Sequence, residues 1–293
     1  MTTLTTTKDS NNSTAKKIAV IITSAGSSVR MGGKKKEFLP LNSGTVLSNC
    51  AVAFLKAFSS EQNSLGKLTN LVITIPAGTE EQAKQALFCD KDFLLPKDCT
   101  LNFVTGSSTR QKSIFNALQF LIKKFTPDYV LIHDGARPFI TPEDILTTTS
   151  AAIEFGAAAP GFTPTDTIKQ IDENGFIKTH LVRKELICIQ TPQAFEFSRL
   201  YTAHATAAKE PTEYTDDTEI WGKFVGKVKI TQGNPQNKKI TYPQDLVSTQ
   251  NQPSLQNAGN ATTTQNLIQA AHSLRQNNIS APNTQAPQEQ THD

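Results

Sequence analysis

The chain has 293 residues, enough for one large α/β domain or two small ones. Its 37% hydrophobic content is low for a wholly globular chain and points to polar segments outside a core. A net charge of +3 with 19% charged residues is too mild to make nucleic acid or an anionic membrane the main partner, so any cationic chemistry must come from a few placed side chains.

Residues 1–16 are rich in Thr, Ser and Asn, carry no apolar period and are expected to be disordered. No charged n-region precedes an apolar stretch, and the first apolar run, residues 18–22, is far too short for a signal segment or a membrane span. The expectation is a soluble, cytoplasmic protein. Residues 17–23 then form a short β-branched run, as a buried parallel strand does. After a loop, Thr45 is placed to N-cap a helix whose Leu47, Cys50, Ala51, Phe54 and Phe58 share one face. Residues 71–75 read as a second strand, and Thr79, Glu80 and Glu81 open a helix with acid in its first turn.

Residues 101–104 are a third strand, residues 110–124 are helical by period, and residues 129–133 are a fourth strand. Thr141-Pro-Glu-Asp supplies a cap, a proline at the first helical position and two acids at another helix start. This alternation predicts right-handed βαβ units: an α/β domain with a mostly parallel sheet and helices on both faces. Residues 167–171 and 176–178 break the rhythm. They flank Asp172-Glu-Asn-Gly175 and read as a hairpin within about 163–188, a projecting β-arm suited to dimerisation. From about 248 to 293 the composition turns to Gln, Asn, Thr, Ser and Ala, too polar to offset the entropy of ordering. The folded domain is therefore expected over 17–247.

Cys50, Cys89, Cys99 and Cys188 have no CxxC spacing, so neither a zinc site nor a redox pair is indicated; they read as unpaired residues of a reducing compartment. The five histidines form no HExxH pair. The chemistry gathers instead at the ends of the strands, where open α/β sheets bind ligands. The first strand runs into Ser24-Ala-Gly-Ser-Ser-Val-Arg30, whose small residues let backbone N–H groups approach a triphosphate, with Arg30 and Lys36 adding positive charge. This is neither GxGxxG nor GxxxxGK[ST], which disfavours a dehydrogenase and a P-loop ATPase. The segment 106–113, Gly-Ser-Ser-Thr-Arg-Gln-Lys-Ser, follows the third strand and opens a helix. His133-Asp-Gly-Ala-Arg-Pro138 follows the fourth, where Asp134 can hold a magnesium ion or substrate hydroxyls. Leu-Val-Arg183, Gln190-Thr-Pro-Gln193, Thr215-Asp-Asp217 and Asn237-Lys-Lys-Ile-Thr241 complete the set.

In the order of these motifs, from about residue 17 to 246, the chain resembles the 2-C-methyl-D-erythritol 4-phosphate cytidylyltransferases of the non-mevalonate isoprenoid pathway. The resemblance implies a Rossmann-like domain that dimerises through its arm and transfers a cytidylyl group from CTP to a sugar-alcohol phosphate. It implies Arg30 and Lys36 as catalytic cations. It implies that Ser24, Ala25, Gly26, Ser107, Ser108 and Ser113 hold cytosine and ribose, with Lys239 at the triphosphate. Asp134, Arg137, Thr191 and Thr215 would meet the acceptor, completed by Thr167 and Arg183 from the partner's arm. Magnesium would bind mainly through CTP phosphates and water. Departures from the family pattern fall at Ser24, Ser28, Val29, Lys35 and Gly135. The alternatives are a ribitol-5-phosphate cytidylyltransferase, with the same loop and fold, and a non-catalytic nucleotide-binding module.

Overall fold

The computed structural model describes residues 15–26, 28, 31–33, 35–61 and 63–250, the last four by backbone alone. The tail expectations for residues 1–14 and 251–293 lie outside them. In chain order come β1 (Lys16–Thr23), β2 (Pro40–Leu41), β3 (Gly44–Thr45), α1 (Val46–Ser59), β4 (Gly66–Ile75) and α2 (Glu80–Phe88). Next are β5 (Thr100–Thr105), α3 (Arg110–Lys124), β6 (Tyr129–Asp134), α4 (Pro142–Phe155) and β7 (Ala157–Phe162). The arm supplies β8 (Lys169–Ile171) and β9 (Ile177–His180). The chain closes with β10 (Cys188–Ile189), β11 (Gln193–Glu196), α5 (Phe197–Ala207), α6 (Asp217–Phe224), β12 (Lys229–Gln232) and α7 (Pro243–Gln250).

The central sheet has the order β10-β7-β11-β6-β1-β4-β5, with β12 on β7. Strands β5, β4, β1 and β6 are mutually parallel, the 3-2-1-4 order of a mononucleotide-binding half. Beyond β6 the sheet is mixed, because β11 lies antiparallel between β6 and β7. The strand periodicity shows why both faces are covered. Ile18, Val20 and Ile22 of β1 enter one core with α1, α2 and α4, while Ala19 and Ile21 enter the other with α3, α5 and α6.

Helix starts follow their side chains. Thr45 accepts from the Ser48 N–H in a reciprocal capping box, and Thr109 and Thr141 accept from the Lys112 and Asp144 N–H groups. Thr79 makes no such bond; its hydroxyl donates to the Pro76 carbonyl, and Glu80 and Glu81 pair with Lys84 instead. In the arm, Asp172 accepts from the Asn174 and Phe176 N–H groups, and Gly175 takes a left-handed φ of 84° to close the hairpin. Among the described residues no helix is long and apolar enough to cross a membrane.

Candidate active site

The loops that leave the carboxyl ends of β1, β5 and β6 enclose a cavity of about 650 Å³. β1 and β6 are neighbours at which the strand order reverses, the chain continuing from β1 to β4 on one side and from β6 to β7 on the other, and the gap above such a pair is where α/β sheets take ligands. The floor is built by close backbone approach. A side chain at Gly106 would collide with the Ala25 Cβ and reach Ser113 Oγ, so two loops can meet there only over a glycine. The Ser113 hydroxyl accepts from the Ser107 N–H at 2.9 Å and donates to the Thr109 carbonyl at 2.8 Å, shaping the start of α3.

Of the residues singled out in the sequence, Ala25, Gly26, Lys36, Ser107, Ser108, Ser113, Asp134 and Lys239 line this cavity. Lys36 is buried, and its Nζ donates to the Ile240 carbonyl at 2.9 Å, while Lys35 Nζ caps the Gly26 carbonyl at 2.7 Å. Ser24 lies below the lining, buried, with its N–H on Thr74. Arg30 lies outside the described residues. Arg137 lies outside this lining and lines instead a second cavity of about 440 Å³ that shares Lys239 with the first.

Asp134 is the electrostatic centre. Its carboxylate receives Lys239 Nζ at 2.8 Å, Arg110 Nε at 3.4 Å and Arg137 Nε at 3.5 Å. Burial alone would push this carboxyl up, but Arg110, Lys239 and Arg137 outweigh burial and hold it well below the usual carboxylate range. Glu37 shows the opposite balance. Burial raises its carboxyl more than its own backbone N–H and Lys36, Lys35 and Lys239 lower it, and Oε2 has no hydrogen-bond partner. Arg110 and Glu37 belong to the lining, yet neither received a role from the sequence. The available signals were a charged residue at a helix start beside a serine loop, and one flanked by the loop lysines.

Beneath Asp134, His133 is fully buried against the edge of Phe54. Its Nε2 lies 3.0 Å from the Arg137 carbonyl and its Nδ1 3.0 Å from Thr191 Oγ1. A carbonyl only accepts, so the Nε2 carries the hydrogen and the Thr191 hydroxyl donates to Nδ1 while accepting from the Asp134 N–H. Thr191 was expected to meet the acceptor; here it is buried and orients His133 and the Asp134 backbone. Burial lowers the His133 pKa to about 4, so the ring is neutral at pH 7. The sign is then fixed. Between about 4 and 6.5 the unfolded state binds the extra proton, so stability is complete above 6.5 and falls toward 4, by about 3 kcal/mol in all. Urea unfolding at pH 7 and pH 5 tests this: wild type should lose stability on acidification, and His133→Asn should lose less.

Three other expected residues lie outside the lining of the main cavity. Thr215 is exposed, with its hydroxyl on Glu219 at 2.8 Å. Thr167 and Arg183 sit together on the arm, where Arg183 Nη2 donates to Thr167 Oγ1 at 3.0 Å. The arm's apolar side chains face outward, with Phe176 73% and Ile171 60% exposed.

The model of the family described as IspD, 2-C-methyl-D-erythritol 4-phosphate cytidylyltransferase, matches residues 18–252. A 2-C-methyl-D-erythritol 4-phosphate cytidylyltransferase from Clostridium beijerinckii is 36% identical over 228 residues, covering 77% of this chain and 93% of that protein. Among solved structures, a 4-diphosphocytidyl-2C-methyl-D-erythritol synthase from Anaerococcus prevotii aligns with a TM-score of 0.64 at 28% identity, covering 80% of this chain and 96% of that one. A 2-C-methyl-D-erythritol 4-phosphate cytidylyltransferase from Thermus thermophilus aligns with a TM-score of 0.60 at 27% identity, covering 80% and 97%.

Proposed function

Because this chain belongs to the 2-C-methyl-D-erythritol 4-phosphate cytidylyltransferase family, we propose that it transfers a cytidylyl group from CTP to 2-C-methyl-D-erythritol 4-phosphate. The products are 4-diphosphocytidyl-2-C-methyl-D-erythritol and pyrophosphate, in isoprenoid precursor biosynthesis. The observation that carries this reading is the cavity, where Lys36, Arg110 and Lys239 converge from separate segments on a serine-lined helix start.

An acceptor phosphate oxygen attacks the α-phosphorus of CTP in line. The new P–O bond forms as the bond to the β-phosphate oxygen breaks, and pyrophosphate leaves with that electron pair. No covalent enzyme intermediate is needed, so the rate comes from positioning and charge stabilisation. Lys36 faces the oxygens that gain charge. Arg30 shares that role by family resemblance alone. Ser107, Ser108 and Ser113 hold the nucleoside, and Asp134 and Arg137 the acceptor.

Magnesium fits this donor set as an ion carried in on the nucleotide. Asp134 is already engaged by three cations, and Glu37 Oε2 is the orphaned buried carboxylate oxygen in the described lining. Phosphate oxygens and water would supply most of the ion's ligands, with Glu37 available to its water shell. When bound, the ion neutralises triphosphate charge.

The protein acts as a homodimer, with the outward apolar side chains of the arm covered by a second copy and Thr167 and Arg183 completing the partner's acceptor site. Arg183→Ala is expected to raise the acceptor KM far more than the CTP KM. Mixing it with Lys36→Ala subunits should restore part of the activity, since each mixed dimer then forms one intact site. Absence of rescue in isolated heterodimers would exclude a shared site. The cytoplasm is the proposed location, supported by four unpaired cysteines.

The direct test is incubation with CTP, magnesium and either 2-C-methyl-D-erythritol 4-phosphate or ribitol 5-phosphate, with mass detection of the product. A cytidine diphosphate adduct of the first acceptor is expected. Turnover of ribitol 5-phosphate alone would move the assignment to that acceptor, and CTP binding without any product would leave a non-catalytic module.

A further inference from the structure

A line of polar contacts runs from the cavity wall into the protein. Arg110, the first residue of α3, lines the cavity; its Nε faces Asp134 Oδ1 at 3.4 Å and its Nη1 donates to Asp217 Oδ2 at 2.8 Å. Its third nitrogen, Nη2, makes no hydrogen bond among the described residues. Asp217, the first residue of α6, is fully buried and does not line the cavity. It is gripped from two further sides: His204 Nε2 of α5 donates to Oδ1 at 3.0 Å, and its own N–H donates to Gln193 Oε1 of β11 at 3.1 Å. The His204 ring is buried and stacks on Phe115 of α3, with centroids 6.2 Å apart and planes 15° from parallel.

An arginine at the edge of an open cavity has many rotamers, and each lost on ligand binding lowers affinity. Here two carboxylates on different elements fix the guanidinium in advance, leaving one nitrogen for a ligand. The geometry points to Asp217 as a positioning residue for the nucleotide cavity, which, steadied by His204, holds Arg110 against Asp134 with Nη2 presented to the bound nucleotide. This rests on the reading that the cavity takes CTP. Removal of Asp217 would let Arg110 swing fully onto Asp134, closing Nη2 to the ligand and disturbing the hold of Asp134 on Lys239.

A double-mutant cycle tests the relay. CTP dissociation constants are measured for wild type, Asp217→Asn, Arg110→Ala and the double variant, with melting temperatures recorded for each. Asp217→Asn should weaken CTP about ten-fold, within the coupling range of residues in one network, and should raise the CTP KM more than it lowers kcat. In the Arg110→Ala background the same change should leave CTP affinity unaltered while still lowering the melting temperature. Equal weakening in both backgrounds, or unaltered CTP affinity of Asp217→Asn with Arg110 intact, would overturn the relay. If Asp217→Asn does not fold, His204→Phe keeps the stack on Phe115 and enters the same cycle with the same two outcomes. Wild-type protein that fails to bind CTP would overturn the cavity reading and the relay with it, whereas CTP binding with an additive cycle overturns the relay alone.

Discussion

Lys36→Ala is expected to lower turnover by roughly 10²–10³, about 3–4 kcal/mol of transition-state stabilisation, the scale of deleting one preorganised electrostatic donor. The side chain is buried in the short turn after the serine loop, and its Nζ is aimed by the Ile240 carbonyl, 204 positions along the chain. A charge held in place before the substrate arrives needs no reorganisation as phosphorus changes partners. Single-turnover rates at saturating CTP and acceptor, read beside the melting temperature, separate this from a folding defect. Lys36→Arg should recover only part of the rate, because a planar fork replaces a compact point charge. Turnover within three-fold of wild type in Lys36→Ala would remove Lys36 from the chemistry.

Asp134→Asn should cost about 3 kcal/mol of stability, the low end for breaking a buried ion pair. The amide keeps the shape but leaves Arg110, Arg137 and Lys239 facing one another around a neutral group. Lys239, 39% exposed along its side chain, can turn to water and relieve part of that strain, whereas Arg110 at 28% and Arg137 at 14% have less access to it. The pH dependence carries the same signature. Asp134 has a folded pKa held below its unfolded value of about 3.9, so its contribution is complete above that value and is lost as pH falls through the folded one. The acid limb of a urea-derived stability curve should therefore be shallower in Asp134→Asn than in wild type. A variant within 1 kcal/mol of wild type at pH 7 would mean that the three cations do not depend on this carboxylate.

Local signals were enough for the front half of the domain. Residues 110–124 are helical from first to last, because the apolar period, the Thr109 cap and the terminal lysines all favour the same helix. The capped starts at Thr45 and Thr141 fall where short-range hydrogen bonding places them. The back half was less legible. β10 and β11 are short, and β11 is a run of four residues whose position depends on slotting antiparallel between β6 and β7, not on its own period. β12 likewise takes its strand conformation from pairing with β7. The Thr79 start kept its place but not its expected hydrogen bond, since the Pro76 carbonyl competes for the hydroxyl.

Periodicity, caps and turn residues are nearest-neighbour properties, so the primary structure alone was sufficient for a three-layer α/β domain, its projecting hairpin and the strand ends around which the cavity forms. It was sufficient, too, for most of the cavity lining, because those residues stand in short contiguous motifs. Partnership across long separations lay beyond it. Asp134 gathers cations from positions 110, 137 and 239, Thr191 turns inward to His133, and Arg110 is clamped from α6, none of which leaves a mark in local composition. Charge states follow from that packing: three cations lie within 3.5 Å of Asp134 and drive its carboxyl down, whereas Glu37 forms no ion pair among the described residues and burial drives it up, a geometry that exists only once the chain has folded.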